Sequence, residues 1–386
     1  MNLFKLSVRY VFQEKLNLAL TLGLLVVSFA AWLLSVTIEK SLQENLTKNV
    51  SGIDMVVGAK GSPMQLLLAS VLFSDSPTGN IAIDEYEKLK KNPLVRSIVP
   101  IAQGDNVKGF PLIGSNQDLL NHYQAELVSG TTDLANGIVI GHSVAQTLGL
   151  TIGNEVNATH GAGEGKSHNH GLKVVGVLKS NNSVLDKLMI TSIANIHANH
   201  ANVKGADQEI TAAWIKFKSP LAMMQLPRMV NKNTNMQAAL PAIEMNRLLK
   251  LSGSGIAIIK LFSVIFLLLA LYSILVHMYN SVSLHLKDLA LMRMYGYAYS
   301  SLFGLLILEA FIITSLGAVL SILFSKGAFM VLNQFAKAQF QMPLLTVEYF
   351  NTFDAMVLTF GIGTGVLASI LPIVKLKRSH LISFLR

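Results

Sequence analysis

Histidine is the residue type whose spacing in this chain most suggests chemistry. Five of the ten histidines lie between residues 160 and 200, three of them in the glycine-rich segment THGAGEGKSHNHG. Imidazole nitrogen is a good ligand for zinc or copper at neutral pH, and an HxH pair with a third histidine supplies three nitrogens. We therefore predict a metal site with zinc as the candidate ion. Its ligands would come from His160, His168, His170, His197 and His200.

Other features of the same segment weigh against catalysis. The chain has no cysteine, and Glu164 is the only carboxylate close to the histidine segment. An HExxH pattern is absent, so a metalloenzyme is not expected. A glycine-rich loop also tolerates histidine without binding metal, and both interpretations stay open at this point.

The segment HGAGEGKS resembles a phosphate-binding loop but does not match one. The pattern GxxxxGK[ST] needs glycine at position 160, where this chain has histidine. We therefore expect this protein not to be an enzyme. Any ATP hydrolysis that it depends on is expected in a separate subunit.

Four apolar stretches are each long enough to cross a bilayer as a helix, which takes about 20 residues. They are residues 16–38, 256–279, 302–325 and 352–374. Hydrophobic residues make up 51% of the chain and charged residues only 14%, which is too little charge for a soluble surface of this size. The sequence therefore predicts a membrane protein with four transmembrane α-helices.

Basic residues in the short connecting segments predict the orientation, because they favour the cytoplasmic side. Residues 1–15 are expected to form a cytoplasmic interfacial helix, 280–301 a cytoplasmic coupling loop or helix, and 375–386 a cytoplasmic basic tail. Residues 326–351, with fewer basic side chains, are expected to form a short periplasmic loop. Both termini would then lie in the cytoplasm, at a bacterial inner membrane. The net charge of +9 includes no basic run with interleaved aromatics, so nucleic acid is not an expected partner.

Residues 39–255 are expected to form a large extracytoplasmic domain between the first two spans. Segments such as GLKVVGVLKS and TAAWIKFK have the β-branched runs and alternation of strands. IDEYEKLKK, HSVAQTLG and SPLAMMQLPRMVNKN are typical of helices between them. A mixed α+β domain follows.

Polar and small residues within the predicted spans are the next candidates for function. Glu309 is a carboxylate inside the third span, where a charge is costly and should face the bundle interior. It is either a gating or coupling residue or a polar pin between helices. Gly361 and Gly365 form a GxxxG spacing in the fourth span, which predicts close helix packing.

The segment SVSLHLKDLALMRMYGYAYSSLFGLLILEA resembles the FtsX/MacB family of ABC transporter permeases. In that family a membrane helix leads to an acidic residue, an arginine and a glycine, and the next helix carries a glutamate. The matching positions here are Asp288, Arg293, Gly296 and Glu309. The family more often has glutamate at the position of Asp288. GIDMVVGAKGSPMQLLLASVL and GHSVAQTLGLTIGNEV are similar to one subgroup, so the resemblance covers nearly the whole chain.

The resemblance implies a permease that dimerises, as a homodimer or with a related permease, and binds a cytoplasmic ABC ATPase. ATP would act through that partner, whose motion would reach the outer domain to export, extract or drive a substrate. A periplasmic binding protein or adaptor and membrane lipid are further candidate partners, and the histidines suggest a link to zinc handling. Alternatives are a division-type FtsX-like regulator of cell-wall hydrolases and an ATPase-independent membrane-anchored metal-binding or sensor protein.

A short helix around residues 286–295 is predicted to provide the ATPase-coupling site. Its apolar Leu289, Met292 and Tyr295, flanked by Asp288 and Arg293 and followed by Gly296, would seat in a groove on the ATPase. The alternative is a solvated loop whose basic residues only set the orientation.

Overall fold

The computed structural model describes residues 3–160, 171–199, 209–340 and 352–378. Its helices in chain order are α1 (Leu3–Gln13), α2 (Lys15–Val50), α3 (Pro63–Ser70), α4 (Ile83–Lys90), α5 (Gln117–His122), α6 (His142–Leu148), α7 (Ile193–Asn199), α8 (Pro220–Asn233), α9 (Pro241–Leu284), α10 (Leu286–Met294), α11 (Tyr299–Phe340) and α12 (Thr352–Arg378). The strands are β1 (Met55–Ala59), β2 (Ile81–Ala82), β3 (Val95–Val107), β4 (Phe110–Ser115), β5 (Leu127–Gly130), β6 (Ile138–Ile140), β7 (Glu155–Val156), β8 (Thr159–His160), β9 (Leu172–Leu178), β10 (Met189–Ser192), β11 (Glu209–Ile210), β12 (Ala212–Phe217) and β13 (Met236–Ala239).

The chain divides into a helical unit and a sheet domain. The helical unit contains α1, α10, α12, most of α11, residues up to Lys40 of α2 and residues from Ser252 of α9. The sheet domain contains Ser41–Leu251 and the end of α11 from Ala336. Helices α2 and α9 therefore each contribute residues to both units.

The sheet domain is built on an 11-stranded mixed sheet. Its main path runs β13-β1-β12-β3-β4-β10-β6-β9-β5, with β7 paired to β9 and β8 to β3, while β11 and β2 form a separate two-stranded sheet. Alternate residues along β12 point to opposite faces, as strand geometry requires. Ala213 and Ile215 lie in one buried cluster with residues of α4, α6 and α8, whereas Trp214 lies in another with residues of α3 and α5. The large mixed α+β domain expected from the sequence is therefore present.

The ends of α2 and α9 that belong to the sheet domain are part of its core. Leu46 of α2 and Met245 of α9 lie in the same buried cluster as Trp214. The indole Nε1 of Trp214 donates to the backbone oxygen of Ser70 at 2.9 Å. Any displacement of these helix ends therefore acts directly on the packed core.

Among the described residues, three helices are long and apolar enough to cross a membrane: α2, α9 and α11 over Tyr299–Ala336. The fourth predicted span falls on α12, whose apolar part, Thr352–Leu367, is shorter. The predicted loop 326–351 needs one correction, because α11 remains helical to Phe340. The Lys326 ammonium donates to Asp354 Oδ2 at 2.8 Å, so this basic residue pairs with α12 instead of marking a loop.

Candidate functional site

Helix α10 is a short, separately terminated element of the helical unit. It follows α9 after His285 and has Tyr295 as its C-cap, and the next residue, Gly296, has a φ of +90°. The amide of Tyr297 donates to the Met292 carbonyl and the amide of Gly296 to the Arg293 carbonyl, which is the Schellman arrangement. No atom lies within 4 Å of an added Cβ at position 296, so backbone conformation alone favours glycine there.

The two faces of α10 have different surroundings. Leu289 and Met292 are 1% and 7% exposed and pack with Leu302, Leu305 and Leu306 of α11. The prediction that these two side chains enter a groove on a partner therefore needs correction, because α11 already covers them. The apolar side chains that α10 exposes are Leu291 at 44%, Met294 at 65% and Tyr295 at 83%. We call these three residues the exposed α10 face.

Arg293 fixes the end of α10 to the following segment. Its Nη1 donates to the backbone oxygen of Tyr297 at 2.9 Å, and its guanidinium carbon lies 4.4 Å from the centre of the Tyr299 ring. The cation–π contact and the hydrogen bond both restrain the turn that leads into α11. Arg293 therefore has a structural role, whatever it contributes to a partner.

Asp288 lies in the first turn of α10 and contacts α1. Its Oδ2 accepts a hydrogen bond from the Tyr10 hydroxyl at 3.3 Å and lies 3.5 Å from Nδ1 of His285. The rings of Tyr10 and His285 are stacked, with centroids 3.7 Å apart and planes 2° from parallel. Burial and the neighbouring Asp288 raise the pKa of Tyr10 to about 12, so its hydroxyl keeps its proton and donates. This contact could not be predicted from the sequence, because residues 10 and 288 are far apart along the chain.

Glu309 faces His277 inside the helical unit. Both side chains are almost fully buried, and Nε2 of His277 lies 3.8 Å from Oε1 of Glu309, too far for a direct hydrogen bond. Within the described residues, both Glu309 oxygens and Nδ1 of His277 have no hydrogen-bond partner. The structure thus pairs Glu309 with a histidine of α9, which sequence reasoning missed because the two residues lie on separate helices.

Gly361 and Gly365 lie where α12 contacts α11. A Cβ at Gly365 would come within 2.6 Å of Thr314 Oγ1, and one at Gly361 would lie 3.3 Å from Ala318 Cβ. Among the described residues, an added Cβ at Gly363 between them would meet no atom within 4 Å. The two glycines of the GxxxG spacing therefore allow close approach, and the glycine between them has no such role.

The five predicted metal ligands are only partly placed. His160 is in β8, where it pairs with Asp105 of β3, and Nε2 of His197 lies 2.8 Å from the backbone oxygen of Glu209. His168, His170 and His200 lie outside the described residues. Within the described ranges, no group of three or more His, Asp or Glu side chains is arranged to hold a metal ion. Zinc binding stays a prediction.

In the sheet domain, Asn49 and Asp186 organise the attachment of α2. Oδ1 of Asn49 accepts from the Val184 amide at 3.0 Å, and its backbone oxygen accepts from the Tyr123 hydroxyl at 3.0 Å. Asp186 is buried and accepts from Ser180 Oγ at 2.8 Å and from the amides of Asn181 and Asn182 at 3.2 and 3.0 Å. The last turn of α2 is therefore bonded to the segment between β9 and β10.

Comparison with protein families gives two matches that together span most of the chain. The family described as MacB-like periplasmic core domain matches residues 18–230. The family described as FtsX-like permease C-terminal matches residues 260–381, which include α10 and Glu309. No curated protein matches the chain.

Two solved structures illustrate the similarity of the outer region. The periplasmic region of MacB from Actinobacillus actinomycetemcomitans is 12% identical, with a TM-score of 0.35, and the match covers 53% of this chain and 97% of that one. The extracellular domain of the noncanonic ABC-type transporter YknZ from Gram-positive bacteria is 15% identical, with a TM-score of 0.32, covering 48% and 98%. Because both TM-scores are low, the assignment of this chain to a family rests on the two family matches alone.

Proposed function

Because this chain belongs to the MacB/FtsX-like family of ABC transporter permeases, we propose that it couples a separate cytoplasmic ATPase to its outer sheet domain. The observation that carries this proposal is the asymmetry of α10. One side of this short helix is covered by α11, and the other presents three large apolar side chains. A partner that covers the exposed α10 face would remove this apolar surface from water.

The proposed topology has four spans, with α12 as the fourth. Lys5, Arg9 and Lys15 precede the first span and Lys287 follows the second, which supports cytoplasmic termini and a cytoplasmic α10. In this arrangement, residues 39–255 form the periplasmic domain of an inner-membrane protein. The ATPase would reach α10 from the cytoplasm.

A cleft beside α10 adds to the proposed docking surface. Its volume is about 650 Å³, and it is lined by residues of α1, among them Arg9, and by Leu291 and Tyr295 of the exposed α10 face. A cleft of this size accommodates protruding side chains of a partner. The proposed ATPase would bury its contact residues there.

The proposed path to the outer domain is mechanical. Helices α2 and α9 contribute residues to both units; their outer ends are packed within the sheet domain, and the end of α2 is also hydrogen-bonded there. Movement of either helix would therefore strain or shift the sheet domain. A dimer of this permease, alone or with a related chain, would export, extract or drive a substrate or partner by such movement.

Charge substitution on the exposed α10 face tests this proposal. Met294→Glu and Tyr295→Glu should each lower copurification of the cognate ATPase roughly tenfold or more, because they place a charge in an apolar contact. Ser283→Glu, an exposed position in the last turn of α9, is the matched control and should bind normally. Normal ATPase binding by both variants would refute the docking proposal, and absence of any ATPase from wild-type preparations would favour the sensor alternative.

A further inference from the structure

The amino-terminal helix α1 contacts the start of α10 through three residues that we call the Tyr10 cluster: Tyr10, His285 and Asp288. Tyr10 is 7% exposed, stacks on His285 and donates its hydroxyl to Asp288. Asp288 keeps about half of its side chain exposed, so it can also contact a partner.

A second contact ties α1 to α11. Ser7 is fully buried, and its hydroxyl approaches the backbone oxygens of Leu3 at 3.1 Å and Leu305 at 3.2 Å. Leu3 and Leu6 pack against the same buried cluster that contains Leu289 and Leu305. Helix α1 is therefore packed within the helical unit, and it contacts both α10 and α11.

The position of these contacts along α10 decides their effect. A nine-residue helix is marginal on its own and depends on its surroundings for a fixed orientation. Arg293 and Gly296 restrain its last turn, as described above, and α11 covers one side. The first turn, which follows the break at His285, is restrained by the Tyr10 cluster.

We propose that Tyr10 is a positioning residue for the ATPase site, holding the first turn of α10 so that Asp288 and the exposed α10 face are presented in one orientation. This inference rests on the proposed docking function. Before binding, a free α10 would populate several orientations, and apparent affinity falls in proportion to the competent fraction. The ATPase-binding element is then α1 and α10 together.

Spin-label distances test the positioning directly. The chain has no native cysteine, so labels can be placed at Lys5→Cys on α1 and Lys287→Cys on α10, both exposed. Pulsed electron paramagnetic resonance on the full permease in lipid nanodiscs should give a narrow distance distribution. Tyr10→Ala should broaden it, whereas Phe12→Ala, which removes an exposed aromatic ring of the same helix, should not.

ATPase affinity of the unlabelled variants gives the functional readout. Tyr10→Ala should weaken binding roughly tenfold, and Tyr10→Phe, which keeps the stack but loses the hydroxyl, roughly threefold. Asp288→Asn keeps an oxygen that can accept from Tyr10, so it should preserve the narrow distance distribution. Tyr10→Phe guards against a folding defect, because it retains the ring.

The possible outcomes separate this inference from the docking proposal. If Met294→Glu abolishes ATPase binding while Tyr10→Ala changes neither the distances nor the affinity, the positioning role is wrong and docking stands. If Met294→Glu and Tyr295→Glu bind normally, docking itself fails. Broadened distances together with weakened binding in Tyr10→Ala, and an intermediate effect in Tyr10→Phe, support positioning.

Discussion

Two buried carboxylates, one in each unit, are held in opposite ways. Asp186 in the sheet domain accepts hydrogen bonds from one hydroxyl and two backbone amides. Glu309 in the helical unit is equally buried, yet neither of its oxygens is hydrogen-bonded within the described residues, and its neighbour His277 lies 3.8 Å away. Hydrogen bonds fix the first group in direction as well as in place, whereas the second is held by packing and by the nearby polar side chains of His277 and Ser281.

The difference in hydrogen bonding between Asp186 and Glu309 indicates which contacts are harder to rearrange. Replacing Asp186 would remove the acceptor of three hydrogen bonds that hold the turn after β9, so this turn has one favoured arrangement. Among the described residues, Glu309 makes no comparable set of hydrogen bonds between α9 and α11. Loss of its contacts therefore costs less hydrogen-bond energy than loss of the Asp186 contacts.

Removing Asp186 should have the largest effect. We expect Asp186→Ala to lower the free energy of unfolding of the sheet domain by about 3–5 kcal/mol, because three hydrogen bonds lose their buried, charged acceptor. Denaturant unfolding followed by Trp214 fluorescence would measure this. Asp133→Ala removes an exposed carboxylate that also caps a turn and should change little. Similar losses for the two variants would contradict the comparison.

Lys187 differs from both carboxylates, because it is a buried cation in the sheet domain. It is 4% exposed, and burial lowers its pKa to about 8. The unfolded chain then binds the proton more tightly, so the penalty is complete below pH 8 and fades as the pH rises toward 10.5. Lys187→Met should raise the free energy of unfolding at pH 7 by about 3 kcal/mol and flatten its rise between pH 8 and 10.5.

The matched control for Lys187 is Lys179→Met. Lys179 is exposed and pairs with Glu126 at 2.8 Å. Its replacement should leave stability and its pH dependence nearly unchanged. A pH-independent gain in Lys187→Met would show that packing, and not charge burial, is responsible.

Substitutions in the α11–α12 contact test whether the helical unit is closely packed away from Glu309. Gly365→Ala would force a Cβ against Thr314 and should destabilise the unit by about 1–3 kcal/mol. Gly363→Ala has free space and should be neutral or slightly stabilising. Thermal unfolding in detergent compares them, and equal effects would contradict the packing role of Gly365.

Glu309 should give the smallest change in stability. Glu309→Leu removes two oxygens that are unpaired among the described residues, so the free energy of unfolding should be unchanged or higher by about 1 kcal/mol. If Glu309 takes part in coupling, ATPase stimulation should fall although the protein stays folded. A loss of stability as large as that of Asp186→Ala would show that Glu309 is also hydrogen-bonded, and would contradict the difference between the two carboxylates.

Zinc binding is tested separately from stability. Titration of the full permease with zinc, followed by calorimetry, should show heat that disappears when His160, His168 and His170 are replaced by alanine. An unchanged titration would remove the histidine prediction.

Much of the architecture was predictable because it depends on local patterns. Apolar length indicated the membrane helices, and strand alternation in TAAWIKFK indicated β12. Periodicity also located α10, but it could not decide which face is buried. Leu289 and Met292 satisfy an apolar stripe equally well against α11 or against a partner, and only the position of α11 settles the choice.

The missed residues have a common physical cause. Tyr10, His277 and Asn49 each act through a residue far along the chain, with a partner at Asp288, Glu309 or Val184. A single sequence contains no sign of such pairs. The end of α11 was missed because Lys326 resembles a loop residue until its partner on α12 is known.

Trp214 is an intrinsic fluorescence reporter for the core of the sheet domain. The chain has two tryptophans, so Trp32→Phe leaves emission from Trp214 alone. Its indole shares a cluster with the helix ends at Leu46 and Met245, and the His122 ring lies 5.5 Å away as a potential quencher. Helix movement that reaches the core should alter the emission wavelength or the fluorescence lifetime of Trp214. A turnover cycle could then be followed by emitted light, without attaching any dye.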